Sequence, residues 1–217
     1  MKKKVIIFGA GGTCLDILDT LLEINKQNND CFDFIGFLDD DEKKIGTKFL
    51  GYNVIGKIIN YKYFLQDKSI FFINGIGSPK SYKIRKKIIK NLDIPEERFL
   101  TIIHPKAYIS SFSQIGYGSV IFANVTIGVN VQIGNHVLIL PNTVVNHDTK
   151  IGDYTLIASN VSISGNVKIG ENCYIGTGSC IKENISISSF SLVGMSSNVI
   201  NDVEENSIVF GNPARKK

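Results

Sequence analysis

One aliphatic residue recurs every six positions through the second half of the chain. From Ile109 onward, Ile115, Ile121, Ile127, Ile133, Ile139, Val145, Ile151, Ile157, Ile163, Ile169, Ile175, Ile181, Ile187, Val193 and Val199 make sixteen positions, all Ile or Val, with no insertion. A period of six matches neither the helical period nor the alternation of one long strand. It fits a short strand followed by a tight corner, repeated. Two residues before each aliphatic stands a small or β-branched residue, among them Val125, Val131, Val137, Thr143, Thr149 and Val161. Strand side chains alternate, so both positions point inward. Glycine often follows the aliphatic, as at Gly116, Gly128, Gly134, Gly152, Gly170, Gly176 and Gly194, and is expected to permit the corner backbone. Three faces close one triangular coil of eighteen residues, and coils stack at about 4.8 Å through parallel ladders. The second half is therefore expected to be a parallel β-helix of a little over five coils.

The repeat leaves the first half to another architecture. Residues 1–100 hold 17 Lys and Arg against 13 Asp and Glu, whereas residues 101–217 hold 7 and 7. That shift, around Ile102-Ile103-His104-Pro105, divides the chain into residues 1–101 and 102–217. The net charge of +4 is too small to argue for a nucleic-acid partner. No apolar run approaches the roughly 18 residues of a membrane span. The stretch Val5-Ile6-Ile7-Phe8 behind three lysines stops at Gly9, short of a signal-peptide core. A cytoplasmic protein with no membrane partner is the expectation. Cys14, Cys31, Cys173 and Cys180 lack metal-site spacing and read as small core residues.

Val5–Phe8 reads as a buried strand, Gly9-Ala10-Gly11-Gly12-Thr13 as a turn, and Leu15–Leu22 as a helix. Strand, glycine turn and helix form a phosphate-cradling unit, because glycine lets the backbone approach and the helix N-terminus supplies N–H groups and positive dipole. The dinucleotide fingerprint is incomplete, since Cys14 stands where its third glycine belongs. A mononucleotide or nucleotide-sugar is therefore favoured. A second strand, Phe34–Leu38, ends in Asp39-Asp40-Asp41, where such folds bind a ribose or base. A third strand, Ile70–Ile73, leads to Asn74-Gly75-Ile76-Gly77-Ser78, and a helix is expected around Tyr82–Leu92. The first half is thus a small Rossmann-like βαβ domain.

Of the three histidines, His104 reads as structural and His136 as an outward surface or subunit-contact residue. His147 falls between inward Val145 and Thr149, at a corner, facing out, with Asp148 beside it. A histidine next to a carboxylate is a general base with a stabilised imidazolium. Adjacent side chains diverge in a strand but can turn toward each other at a corner. Gly165 lies eighteen residues on, one coil above His147, and its N–H is a candidate oxyanion donor. Cys173, at an inward position, is a poor nucleophile candidate. A zinc enzyme would need three converging histidines, and His136 and His147 fall on different faces.

Over nearly its whole length the chain resembles the hexapeptide-repeat sugar O- and N-acyltransferases of the sialic-acid O-acetyltransferase and bacillosamine-pathway N-acetyltransferase type. The matching stretches are Val5–Thr13, Gly36-Phe37-Leu38-Asp39-Asp40, Ile102-Ile103-His104-Pro105, His147-Asp148, Ser164-Gly165-Asn166-Val167-Lys168-Ile169-Gly170 and Gly211-Asn212-Pro213-Ala214. One departure is Gly12-Thr13-Cys14, where many members have Gly-His-Gly. The resemblance implies a left-handed β-helix and a homotrimer with acetyl-CoA in the groove between two β-helices, without a metal. It implies that Gly11, Gly12, Thr13, Asp39, Asp40 and Gly77 hold a nucleotide-linked sugar, that His147 is the base and that Asp148 raises its basicity. Thr177, its coil successor Met195, and Leu156 are expected to contact the pantetheine of acetyl-CoA. The expected reaction is N-acetylation of a nucleotide-linked amino sugar, of 4-amino-4,6-dideoxy type; O-acetylation and a non-catalytic β-helix module are the alternatives.

Overall fold

A computed structural model describes residues 2–27 and 31–217. The N-terminal domain is a five-stranded sheet in the order β3-β4-β2-β1-β5. Strands β1 (Lys3–Phe8), β2 (Phe32–Leu38), β4 (Tyr52–Gly56) and β5 (Ile70–Asn74) run parallel, and β3 (Lys48–Phe49) is antiparallel to β4. Val5 through Phe8 are wholly buried, as a continuous apolar run requires when both faces of a parallel sheet are covered. The β3–β4 hairpin is an addition to the expected elements. Its tight turn places Leu50 and Gly51 at φ 49° and 84°, and such short strands carry little periodic signal.

Helix α1 (Gly12–Gln27) begins on the glycine turn and buries Cys14, Ile17, Leu18, Leu21 and Ile24 at helical spacing. The short helix α2 (Tyr61–Phe64) follows β4. In place of one helix over Tyr82–Leu92 there is a 3-10 turn, Tyr82–Ile84, followed by α3 (Arg85–Lys90).

The second domain is a parallel β-helix with three faces, its strands pairing eighteen residues apart until the last turn, where Leu192 pairs with Ile208. The first face carries Ile121, Ile139, Ile157, Ile175 and Val193, the second Ile127, Val145, Ile163 and Ile181, and the third Ile133, Ile151, Ile169 and Ile187. Repeat positions from Ile121 to Val199 are all at most 4% exposed. Inward hydroxyls add a polar ladder along the corners. Thr155 Oγ1 donates to the Gly170 carbonyl (2.8 Å) and accepts from the Cys173 N–H (3.0 Å).

The glycines play a different part from the one expected. The left-handed corner residue lies three after each aliphatic, at Asn124, Asn130, Asn142, Asp148, Asn160 and Asn166, with φ between 56° and 62°. Asparagine and aspartate tolerate that conformation. The glycine directly after the aliphatic is needed because neighbouring coils touch there. A Cβ on Gly152 would stand 2.6 Å from the Gly170 carbonyl carbon.

The N-terminal domain docks on the first face. Leu138, Leu156, Val120 and Phe122 belong to the same apolar cluster as Val5, Ile7, Ile17 and Leu21. The corner between the third and first faces is also covered, which corrects the reading of His136. That residue is 2% exposed, stacked on Tyr154 (centroids 4.8 Å apart) and edge-on to Phe99 (4.6 Å). Burial, with the Arg85 charge nearby, pushes its imidazole from 6.5 down to about 3. His104 is buried, and its Nδ1 accepts from the Lys106 N–H (3.0 Å). Cys14 and Cys173 are core residues, but Cys31 is half-buried and Cys180 is exposed on the second face.

Candidate active site

Two constellations stand apart in the chain. The first is a cavity of about 420 Å³ at the C-terminal edge of the N-terminal sheet. Gly11, Gly12, Thr13, Asp39, Asp40 and Gly77 all line it. A parallel sheet delivers its ligand there because the strand-to-helix turns converge at the carboxyl ends. The Cys14 and Leu15 N–H groups donate to the Gly11 carbonyl (3.0 and 3.3 Å), so the Gly12 and Thr13 N–H groups are the ones without an intrahelical acceptor, and no acidic residue occupies the first turn. Ideal Cβ atoms on Gly11 or Gly12 meet nothing within 4 Å, so both positions open onto free space.

The two acids build this cradle's walls. Asp39 Oδ2 accepts from the Ala10 N–H (2.7 Å) and from Lys44 Nζ (3.0 Å), while Oδ1 accepts from the Asp41 N–H (2.9 Å). Burial acts to raise its carboxyl, but these three hydrogen bonds outweigh burial and hold it below the usual range. Asp40 Oδ1 accepts from the Ile58 N–H (2.9 Å). Cys14 fills the space of a third glycine. Its Sγ lies 3.4 Å from the Gly75 carbonyl oxygen, and burial pushes the thiol up to about 12.

The second constellation is on the β-helix, at the corner between the second and third faces. His147 Nδ1 lies 2.8 Å from Asp148 Oδ2, and both side chains are at least half exposed. The corner conformation, with Asp148 at φ 59°, brings these neighbours together. Asp148 Oδ1 accepts from Asn130 Nδ2 at 2.7 Å. That amide, and then His147, hold the Asp148 carboxyl below its ordinary value. An ionised Asp148 fixes the Nδ1–H tautomer, which leaves Nε2 free as a base. Asn130 went unremarked in the sequence, although it lies one eighteen-residue coil before Asp148. Gly165 is buried beside the imidazole, where a Cβ would stand 2.7 Å from His147 Nε2.

The remaining expectations divide. Thr177 and Met195 are exposed at the corner between the first and second faces, with Met195 73% exposed. Leu156 is 3% exposed and packs under the N-terminal domain, where a Cβ on Gly77 would be 2.8 Å from its Cδ1. This corrects its assignment: the docked domain covers the side chain and leaves pantetheine no access to it. The cradle domain covers the first face, and the His147 corner is the one corner that does not border that face.

Residues 4–92 match the family described as PglD N-terminal domain, and residues 130–165 and 150–183 match bacterial transferase hexapeptide (six repeats). The acetyltransferase domain of PglB from Neisseria gonorrhoeae is similar over 100% of both chains, at 26% identity and a TM-score of 0.84. This chain is a hexapeptide-repeat acetyltransferase. WeeI from Acinetobacter baumannii is also similar, with 26% identity, 98% and 99% coverage of the two chains and a TM-score of 0.80. PerB from Caulobacter crescentus, solved with CoA and GDP-perosamine, shares the fold at 23% identity, 99% and 97% coverage and a TM-score of 0.86. No curated protein matches the sequence. The acetyltransferase's β-helix is accordingly left-handed. Among its described residues, no helix is long and apolar enough to cross a membrane, and no group of three or more His, Cys, Asp or Glu is placed to hold a metal ion.

Proposed function

We propose that the chain transfers an acetyl group from acetyl-CoA to the amino group of a nucleotide-linked amino sugar, of 4-amino-4,6-dideoxy type, with His147 as general base. The observation that carries this reading is the His147–Asp148 pair, exposed at a β-helix corner with Gly165 packed against the ring. The glycine-lined cavity supports a nucleotide anchor. PerB was solved with CoA and a nucleotide-linked sugar, GDP-perosamine.

The amine nitrogen attacks the thioester carbonyl carbon, and Nε2 of His147 takes the amine proton. Asp148 stabilises the imidazolium. The Gly165 N–H donates to the developing oxyanion. Collapse breaks the carbon–sulfur bond, and the imidazolium returns its proton to the departing CoA sulfur. The product is an amide, and no covalent enzyme intermediate forms.

The reading includes a homotrimer. A sugar anchored over the first face must reach a base on the corner remote from it, so a second copy has to bring the two together. The second face suits that contact: its outward strand residues Tyr108, Thr126, Val144, Ser162, Cys180 and Asn198 carry no charge. It also runs between the His147 corner and the corner bearing Thr177 and Met195, so packed copies flank a groove with both. The enzyme works in the cytoplasm in this reading, where acetyl-CoA and nucleotide sugars are available.

A panel of UDP-, dTDP- and GDP-linked amino sugars with acetyl-CoA, followed by free-thiol release, tests the proposal. Release with at least one amino sugar, and none with the matching sugar bearing hydroxyl in place of the amine, is expected. Release only with the hydroxyl sugar would replace it by O-acetylation. A monodisperse monomer in sedimentation would refute the trimer.

A further inference from the structure

Arg85 is wholly buried at the seam between the domains. Its Nε donates to the Ile76 carbonyl (2.5 Å), Nη1 to the Tyr154 carbonyl (2.7 Å) and Nη2 to the His136 carbonyl (3.1 Å). The last two carbonyls belong to consecutive coils of the β-helix, and the first belongs to the loop that forms one wall of the cavity. Among the described residues no carboxylate pairs with this guanidinium. Burial lowers it to about 10, so it remains cationic at neutral pH.

Such an arrangement costs stability. Main-chain carbonyls satisfy the N–H donors, but they leave a full positive charge in a poorly screened interior. An apolar side chain would remove the charge but leave the Ile76, Tyr154 and His136 carbonyls without a donor. The charge is one residue layer from the cavity: a Cβ on Gly77, which lines it, would be 3.7 Å from Arg85 Nε. Across the cavity stand the N-terminus of α1 and Lys44, whose charge is already offset by Asp39.

We infer that Arg85 is a positioning residue whose buried, unpaired charge favours an anionic diphosphate in the cradle while its fork fixes the Gly75–Ser78 wall against the β-helix. This deepens the proposed function and rests on the cavity being a nucleotide site. The field of a buried cation is weakly screened, so it acts across a residue layer where a surface lysine would not. The charge favours phosphate specifically, and the fork serves any ligand that touches the wall.

The two roles separate in a binding experiment on the full chain. Dissociation constants would be measured by calorimetry for UDP, dTDP and GDP and for uridine, thymidine and guanosine, with wild type, Arg85→Gln and Arg85→Lys. For the nucleotide that wild type binds, Arg85→Gln is expected to weaken the diphosphate about tenfold more than its nucleoside. Arg85→Lys keeps the charge and loses the fork, so both ligands should weaken in parallel and their affinity ratio should stay at the wild-type value. Equal weakening of both ligands by Arg85→Gln overturns the inference and leaves the nucleotide reading standing. If Arg85→Gln does not fold, a collapse of the ratio in Arg85→Lys overturns it equally. If wild type binds none of the three diphosphates, the nucleotide reading fails and the inference with it.

Discussion

Gly165 lies against the imidazole of His147, so that a Cβ built on it would stand 2.6 Å from Cε1 and 2.7 Å from Nε2. No real side chain tolerates that distance. The ring is two-thirds exposed and free to swing outward, so the coil itself need not yield. Gly165→Ala should therefore fold with nearly unchanged thermal stability and lose roughly 10²-fold or more in kcat, as expected for a displaced general base. Thermal melting and steady-state rates on the same preparation check this, and a large drop in melting temperature would point to coil packing instead.

Removal of the base itself should act without repacking. His147→Ala and His147→Asn should each lower kcat by about 10²–10⁴-fold. Asp148→Asn should cost less. It suits the left-handed corner, where asparagine already stands at Asn130 and Asn166, and it keeps some orientation of the ring. A folded His147→Ala protein with wild-type turnover would mean that water or another group accepts the proton.

The acid limb of the rate profile follows from the pair. Asn130 and His147 hold the Asp148 carboxyl below its ordinary value, so it stays ionised and keeps its contact with the ring nitrogen. Protonation of His147 removes the base, and kcat/KM should fall on the acid side as a single-proton limb. The limb should be absent from the residual activity of His147→Ala. A two-proton limb in the wild type would show that Asp148 titrates in the same range.

The β-helix was legible because its period is dictated by packing inside one coil, and the fourteen aliphatics from Ile121 to Val199 share the same buried inward neighbourhood. The dyad was legible for the same reason: Val145 and Thr149, both inward, leave His147 outside. What local pattern does not encode is which face a second domain covers. His136 has the same relation to its coil as an exposed corner residue, but Phe99 and Tyr154 pack against its ring and Arg85 holds its carbonyl. Leu156 is buried by the same docked domain, which its own hexad does not encode. Asp39 was legible as part of the cradle, but its use as a wall tie to Ala10 and Lys44 depends on contacts that no spacing announces.

His136 gives the protein a pH-dependent seam. Its imidazole is held from 6.5 down to about 3 in the folded chain, so below 6.5 the unfolded chain binds a proton that the folded one refuses. Stability from this residue is complete above pH 6.5 and declines as pH falls toward 3. Urea midpoints should drop between pH 7 and pH 4, and His136→Phe should flatten the part of that slope that belongs to this site. An unchanged slope in that variant would assign the acid sensitivity to other groups.

The cradle offers a cleaner separation of fold from ligand than either corner. A Cβ on Gly12 meets nothing within 4 Å, whereas one on Gly77 meets Leu156 and Leu138 at 2.8 and 2.9 Å. Gly12 is also the first residue of α1, where a side chain does not disturb the intrahelical bonds. Gly12→Val should thus preserve thermal stability while placing its methyl groups in the cavity mouth, where the backbone must approach phosphate. Nucleotide-sugar affinity should fall at least about tenfold and acetyl-CoA affinity should not change. Gly77→Ala should instead lower the melting temperature, because the clash lies in the seam shared with the β-helix. Calorimetric titration of each ligand, beside a melting curve for each variant, distinguishes the two effects. Equal nucleotide-sugar affinity in wild type and Gly12→Val would remove the glycine turn from the binding site.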